Sequence, residues 1–243
     1  MNRFFVQPED ISDGLAVIRG EDVKHIKLVL RMREGDALML CDSANTEYSG
    51  RVRSIGDDQV SVELDDGKPC EAELAYTVTL LQGLPKAGKM ETIVQKCVEL
   101  GIMDFIPAAA ARSVVKLTTK EFEKKRQRYQ KVANEAAKQA RCGILPRVGE
   151  LKSFYEIDYS AYDLVLLFYE EEQERSLKMA LKELGHAPQS VALVIGPEGG
   201  LEKVEVEHIQ RQGGVCVSLG KRILRTETAG MAALAMLQYA LGE

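Results

Sequence analysis

The sequence predicts two units in series: a small β-barrel over residues 1–72, then an α/β domain over residues 73–243 built on a mostly parallel, doubly wound sheet. Three observations predict it. Short apolar runs punctuated by glycine fill the chain up to residue 72. From Leu74 onward, strand-like runs alternate with helix-like stretches. Near the C-terminus, two of those strands run straight into glycine-containing turns that open helices, the arrangement that places a ligand crevice at one end of an α/β sheet.

In the first unit Phe4 to Val6, Leu15 to Ile18, Ala37 to Cys41, Tyr48 to Ser54 and Val60 to Leu64 read as strands. Gly14, Gly35, Gly50, Gly56 and Gly67 separate them. Between the second and third, Glu21 to Leu30 has helical spacing through Val23, Ile26 and Leu30. The turn Asp65-Asp66-Gly67-Lys68-Pro69 closes the unit, which puts the boundary near residue 72.

In the second unit the strands are Tyr76 to Leu81, Asp104 to Pro107, Leu164 to Tyr169, Val191 to Ile195 and Val215 to Leu219. Lys89 to Leu100, Glu121 to Arg141, Arg175 to Leu184, Glu202 to Arg211 and Thr228 to Leu241 read as helices between and after them. In the first helix Met90, Ile93, Val94, Cys97 and Val98 recur at i, i+3, i+4, i+7 and i+8, and Gly101 stands where a C-terminal glycine belongs. Thr226 or Thr228 is positioned to cap the last helix.

Composition is that of an ordinary globular protein. No stretch approaches the ~20 apolar residues of a membrane span, and the N-terminus lacks the apolar region of a secretion signal, so a cytoplasmic location is expected. The five cysteines (41, 70, 97, 142 and 216) are far apart and show no zinc spacing, which predicts reduced structural thiols and no metal. The net charge of −5 conceals a polarised chain. Residues 1–72 hold 9 basic and 15 acidic groups, whereas residues 112–147 hold 11 basic and 3 acidic. The second stretch can neutralise several phosphates, or form a solvated helix face.

Gly83-Leu84-Pro85-Lys86-Ala87-Gly88-Lys89-Met90 matches the phosphate-cradling G-x-x-x-x-G-K-[ST] pattern at all but its final position. The hydroxyl there ligates magnesium, and the Met90 thioether cannot, so nucleotide hydrolysis is not expected. Phosphate contact with RNA and plain solvation remain open for Lys86 and Lys89. No G-x-G-x-x-G follows a strand, which argues against a dinucleotide enzyme. The stronger motifs are Gly196-Pro197-Glu198-Gly199-Gly200 and Leu219-Gly220-Lys221-Arg222-Ile223-Leu224-Arg225-Thr226-Glu227-Thr228-Ala229. The second joins a strand to the last helix through residues with no simple packing role.

Together these motifs resemble the paired loops of the knotted SPOUT methyltransferases, specifically the RsmE-type family that makes 3-methyluridine in small-subunit ribosomal RNA. Arg3-Phe4-Phe5, the stretch His25 to Asp36, and Lys89-Met90-Glu91 to Leu100-Gly101 resemble family segments too. The resemblance implies a trefoil knot, a PUA-like RNA-binding barrel, S-adenosylmethionine as cofactor, ribosomal RNA as partner and a homodimer whose partner helps build the site. The alanines of the last helix (229, 232, 233, 235 and 240) suit close helix packing, between chains or within one. A non-catalytic RNA-binding module is the competing class, but it has no need of two glycine-rich ligand loops.

On that resemblance, Gly196, Gly199 and Gly220 allow close backbone approach to the donor, and Leu219, Ile223 and Leu224 supply apolar walls. Glu198, Thr228 and Ala229 belong to the same two motifs. Tyr169, with Glu170, either borders the pocket or ends a strand. Uridine N3 must lose a proton before its lone pair can attack, so a base or an anion-stabilising cation is needed. Arg225 and Glu227 are the candidates, with Glu227 alternatively serving the helix's first turn. Arg3, Lys24 and Arg31 on the barrel, with Lys27 and Arg33, and Lys86, Lys89, Arg112 and Arg141 on the second part are the RNA-binding candidates. Arg141, with Pro146 after it, resembles an Arg-x-x-x-x-Pro element of the family, although Lys138-Gln139-Ala140 departs from the more acidic run expected before it.

Overall fold

The computed structural model describes residues 1–86 and 88–242. Ala87, within the Gly83–Met90 loop, lies outside the described residues. The chain divides into two units, Met1–Glu73 with Ala137–Leu145, and Leu74–Ala136 with Pro146–Glu243.

The first unit is a seven-stranded sheet. Its strands are β1 (Arg3–Phe5), β2 (Ile11–Ser12), β3 (Leu15–Arg19), β4 (Ala37–Cys41), β5 (Thr46–Ile55), β6 (Gln59–Leu64) and β7 (Lys68–Pro69). They lie in the order β1-β4-β5-β6-β3-β2, with β7 on β5. β1 and β4 are parallel and the other pairs antiparallel. Alternation sends Leu38 and Leu40 of β4, and Val60 and Val62 of β6, into one core with Phe4, Ile18 and Ile26. Lys68 and Pro69, expected in a turn, instead pair with β5. The predicted helix is also different in kind: α1 (Glu21–Lys24) widens into a π-helical stretch, His25–Leu30. That stretch ends at Arg31, whose φ of 52° is left-handed.

The second unit is a seven-stranded, all-parallel sheet. Its strands are β8 (Thr77–Gly83), β9 (Asp104–Ala109), β10 (Arg147–Val148), β11 (Lys152–Ser153), β12 (Leu164–Phe168), β13 (Ser190–Ile195) and β14 (Val215–Val217). The order is β10-β9-β8-β13-β12-β14, with β11 on β9. Helices α2 (Lys89–Glu99), α3 (Thr119–Ala140), α4 (Leu177–Leu184), α5 (Lys203–Arg211) and α6 (Thr226–Leu241) connect or follow them. Val191 to Ile195 are buried throughout, as a strand covered on both faces requires. The five residues picked out on α2 are its buried ones, and Gly101 has the positive φ of 88° that its stop needs. The two-residue strands β10 and β11 are too short to leave a periodic signal. Because β13 lies between β8 and β12, the carboxyl ends of β8, β12, β13 and β14 share one edge of the sheet.

Candidate active site at the carboxyl ends of the parallel strands

Three loops meet at this edge: Gly83–Gly88 after β8, Gly196–Gly200 after β13, and the segment from Ser218 to Arg225 after β14. A buried hydrogen-bond relay joins them. The Gln82 amide Nε2 donates to Gly83 O at 2.9 Å and to Thr226 Oγ1 at 2.8 Å. The Thr226 hydroxyl in turn donates to Gly196 O at 2.7 Å. A carbonyl only accepts, so Gly83 O fixes the amide with nitrogen toward it. The Gln82 carbonyl oxygen is thereby left buried without a partner. This relay corrects the expected capping. Thr226 is the first residue of α6, with Arg225 in the cap position, and the Thr226 hydroxyl serves the neighbouring loop rather than its own helix.

Nearer the solvent, an ionic bridge ties the same elements. Lys89 Nζ lies 2.9 Å from Glu198 Oε1 and 2.9 Å from Glu227 Oε2. The Lys86 backbone N–H donates to both Glu198 oxygens, at 3.1 and 3.2 Å. The three side chains are 25%, 21% and 23% exposed. Hydrogen bonds to Glu198 and Glu227 raise the Lys89 ammonium above its ordinary value. Burial works to raise the Glu198 and Glu227 carboxyls, but Lys89 and nearby backbone N–H groups outweigh it, and both lie below the usual carboxylate range. An acid held this firmly ionised is a weak proton acceptor and a good fixed hydrogen-bond acceptor. Tyr169 is unsuited to base catalysis as well: burial, a bond to Glu171 and the charge of Glu170 push its phenol up to about 12.

Two glycines show different uses of a missing side chain. A Cβ on Gly199 would stand 2.7 Å from Arg112 O, so the space at Gly199 is filled by the protein's own main chain. Gly199 thus fits two loops together, its Cβ side facing Arg112. At Gly220 the φ is 104°, a conformation that excludes other residues, and no atom would lie within 4 Å of a Cβ. The open side of that turn is where Ile223 is exposed and Leu219 and Leu224 are partly so.

The structure brings most of the predicted residues together. Gly196, Glu198, Gly199, Leu219, Gly220, Ile223, Leu224, Arg225, Glu227 and Thr228 occupy the two motif loops and the first turn of α6; Ala229 is buried on that helix. Tyr169 directly follows β12, its N–H donating to Val217 O at 3.3 Å. Lys86 is exposed, whereas the Lys89 ammonium is taken up by two carboxylates. Arg225 is exposed at the start of α6, and its charge helps hold Glu227 ionised. Gln82 went unnoticed in the sequence and Thr226 stood there only as a cap candidate, because a glutamine inside an apolar strand and a threonine in a helix start carry no signal of mutual contact.

Arg3, Lys24, Arg31 and Arg141 belong to the first unit. Arg3 is no surface residue: its side chain is 8% exposed and its guanidinium pairs with Glu47 at 2.8 Å. It also bonds Cys41 Sγ at 3.1 Å and Cys70 Sγ at 3.4 Å. That burial takes Arg3 off the predicted docking face. Lys24, Arg31 and Arg141 are exposed, and Arg141 has a left-handed φ of 64° at the end of α3. Of the basic stretch on and after α3, Arg126, Arg128, Lys138 and Arg147 are committed to Glu123, Glu91, Asp22 and Asp104. Among the described residues no cluster suits a metal ion and no helix is long and apolar enough to cross a membrane.

A parallel α/β unit with paired glycine-containing loops at its carboxyl edge, joined to a β unit, defines a class that the family comparisons make explicit. Residues 72–238 match the RNA methyltransferase domain, and residues 18–65 match the RNA methyltransferase PUA domain. The ribosomal RNA small subunit methyltransferase E of Bacillus subtilis is 39% identical, covering 98% of this chain and 96% of that one. That of Synechocystis is 30% identical over 98% of this chain and 78% of its own length. The chain therefore belongs to the RNA methyltransferase family, in its ribosomal small-subunit methyltransferase E branch. Among solved structures, the ribosomal RNA small subunit methyltransferase E of Neisseria gonorrhoeae bound to S-adenosyl methionine superposes with a TM-score of 0.85 at 27% identity, covering 98% of this chain and 97% of that one. A putative methyltransferase of Legionella pneumophila with bound cofactor SAM also gives 0.85, at 28% identity, with the same coverage of each chain.

Proposed function

We propose that the protein transfers a methyl group from S-adenosylmethionine to N3 of a uridine in small-subunit ribosomal RNA. One observation carries the proposal: the turn after β13 and the first turn of α6 are latched side by side through Thr226 Oγ1 to Gly196 O and through Lys89 between Glu198 and Glu227. The neighbouring surface fits the donor's chemistry. It offers an open turn at Gly220, apolar Leu219, Ile223 and Leu224, and a carboxylate-rich edge at Glu170, Glu198 and Glu227 suited to a cationic ligand.

When bound, S-adenosylmethionine would supply an electrophilic methyl on a sulfonium: with the N3 proton lost to solvent, the N–C bond forms as the S–CH3 bond breaks and the neutral thioether leaves. The chain's own share is placement and charge. Holding two reactants in line is worth ~7–11 kcal/mol in favourable intramolecular models. Arg225 stabilises the uridine oxyanion that forms as N3 loses its proton. Glu227, kept ionised by Lys89, fixes the helix start and offers a hydrogen-bond acceptor.

The reading extends to a trefoil knot formed by the C-terminal segment, a cytoplasmic location and a homodimer. For the dimer the supporting feature is a stripe on α6, where Ala235, Met236, Tyr239 and Ala240 are exposed and Met231 and Ala232 half-buried. Calorimetric titration of S-adenosylmethionine tests the donor, and mass-spectrometric mapping of ribosomal RNA from cells lacking the protein tests the product. Silence in the first, or an intact methyluridine complement in the second, removes the assignment. Sedimentation of wild type against Tyr239→Glu tests the dimer; identical masses would exclude this face.

A further inference from the structure

The first unit exposes two adjacent aliphatic side chains, Leu28 at 70% and Val29 at 66%, in the π-helical stretch between β3 and β4. Their outward aim has a backbone cause. A π turn closes i→i+5 and is wider than the α turn of ~3.6 residues, so it rotates Val29 away from the core while returning Leu30 toward it. Leu30 does pack against that core, and Ile26 is fully buried within it.

The neighbours of the pair are anchored. Lys27 Nζ bonds Gly56 O at 2.9 Å and Asp57 at 3.0 Å, and the His25 ring sits edge-on to Phe4 at 6.3 Å. Arg31 and Met32 both donate their N–H groups to Ile26 O, with Arg31 left-handed. Flanking the aliphatic pair in the chain are Lys24, Arg31 and Arg33, all exposed and none with an ion pair among the described residues. Of the two acids that follow, Glu34 is exposed beside Arg33, and Asp36 is occupied in accepting from the Arg33 backbone N–H at 2.7 Å.

Resting on the RNA methyltransferase reading above, we infer that Leu28 and Val29 form an apolar wedge that packs against unpaired bases of the RNA substrate, while Lys24, Arg31 and Arg33 hold the flanking phosphates. The charge pattern selects RNA over a protein partner. Residues 1–72 hold 15 acidic against 9 basic groups, so an RNA backbone is repelled by most of this unit and attracted where Lys24, Arg31 and Arg33 outnumber the neighbouring exposed Glu34, with Asp22 paired to Lys138 and Asp36 bonded to the Arg33 N–H. Apolar side chains inserted at unstacked bases then add affinity that salt does not screen.

The test compares wild type, a Leu28→Ser/Val29→Thr variant and an Arg31→Gln/Arg33→Gln variant on two RNAs, one with an unpaired loop and one fully double-stranded. The first variant is expected to bind the looped RNA about tenfold more weakly, with its salt dependence, melting temperature and S-adenosylmethionine affinity unchanged. The second is expected to lower the slope of log affinity against log salt by about 2. Looped-RNA binding by the first variant within twofold of wild type overturns the wedge. So does an equal loss on both RNAs, or an altered oligomeric mass, which would assign the pair to a protein contact. Wild type that binds looped RNA through this surface yet transfers no methyl group sustains the wedge and removes the enzymatic reading instead.

Discussion

Arg3 in the first unit and Lys89 in the second are both cations held by carboxylates, and they differ in access to water. The Arg3–Glu47 pair has side chains 8% and 13% exposed, with two cysteine sulfurs completing the guanidinium's contacts. Cys41 beside it is pushed up to about 11 by burial, so it stays a neutral thiol. The Lys89 bridge is about a quarter exposed at each member and joins the starts of α2 and α6 to the loop after β13. A closed pair loses heavily if one partner goes, because the other is left charged and dry. An open bridge adds little to global stability, since water competes for every partner. What it can do is fix the spacing of loops. Arg3 accordingly belongs to the architecture, and Lys89 to the site.

Arg3→Met should cost about 3 kcal/mol of stability, the lower end for a broken buried pair because Lys68 still reaches Glu47 at 3.2 Å. Chemical denaturation measures it, and a loss under 1 kcal/mol would show the pair to be open. Arg225→Ala should lower the methylation rate by about 100-fold or more with no change in melting, as expected for an exposed cation acting on developing charge; unchanged turnover rejects the role. Thr226→Val removes the centre of the buried relay, leaving Gly196 O without its donor, and should cost about 1–3 kcal/mol while weakening donor binding. Lys89→Met should weaken S-adenosylmethionine binding by about tenfold with little change in melting, and Lys89→Arg should recover most of it; equal loss in both would reduce Lys89 to packing.

The acid limb gives the finest test. Because the Glu198 and Glu227 carboxyls lie below their ordinary value when folded, their contribution is complete at neutral pH and is lost as the pH falls below about 4. Without the Lys89 ammonium the same loss should begin at higher pH, visible in donor affinity measured from pH 7 downward. Coincident curves for wild type and Lys89→Met would show that Lys89 does not hold the carboxyls.

Part of this was legible in the chain. The apolar runs of β4, β6 and β13, the buried face of α2, the glycine stop at Gly101 and the two motif loops all rest on spacing within a few residues, which side-chain period and backbone sterics impose locally. Three other features had no local trace: the π turn at His25, the pairing of Lys68 and Pro69 with β5, and the membership of Ala137–Leu145 in the first unit.

The chain's local pattern specified its longer strands and helices and the loops that carry unusual residues, because those depend on period, propensity and left-handed glycines. Tertiary structure alone decided what each polar residue does. It set β13 between β8 and β12, buried Arg3 and brought Gln82 against Thr226, 144 residues apart. The physical reason is that a charge or an amide takes its role from the partner and the water around it, and neither is written within a dozen residues of chain.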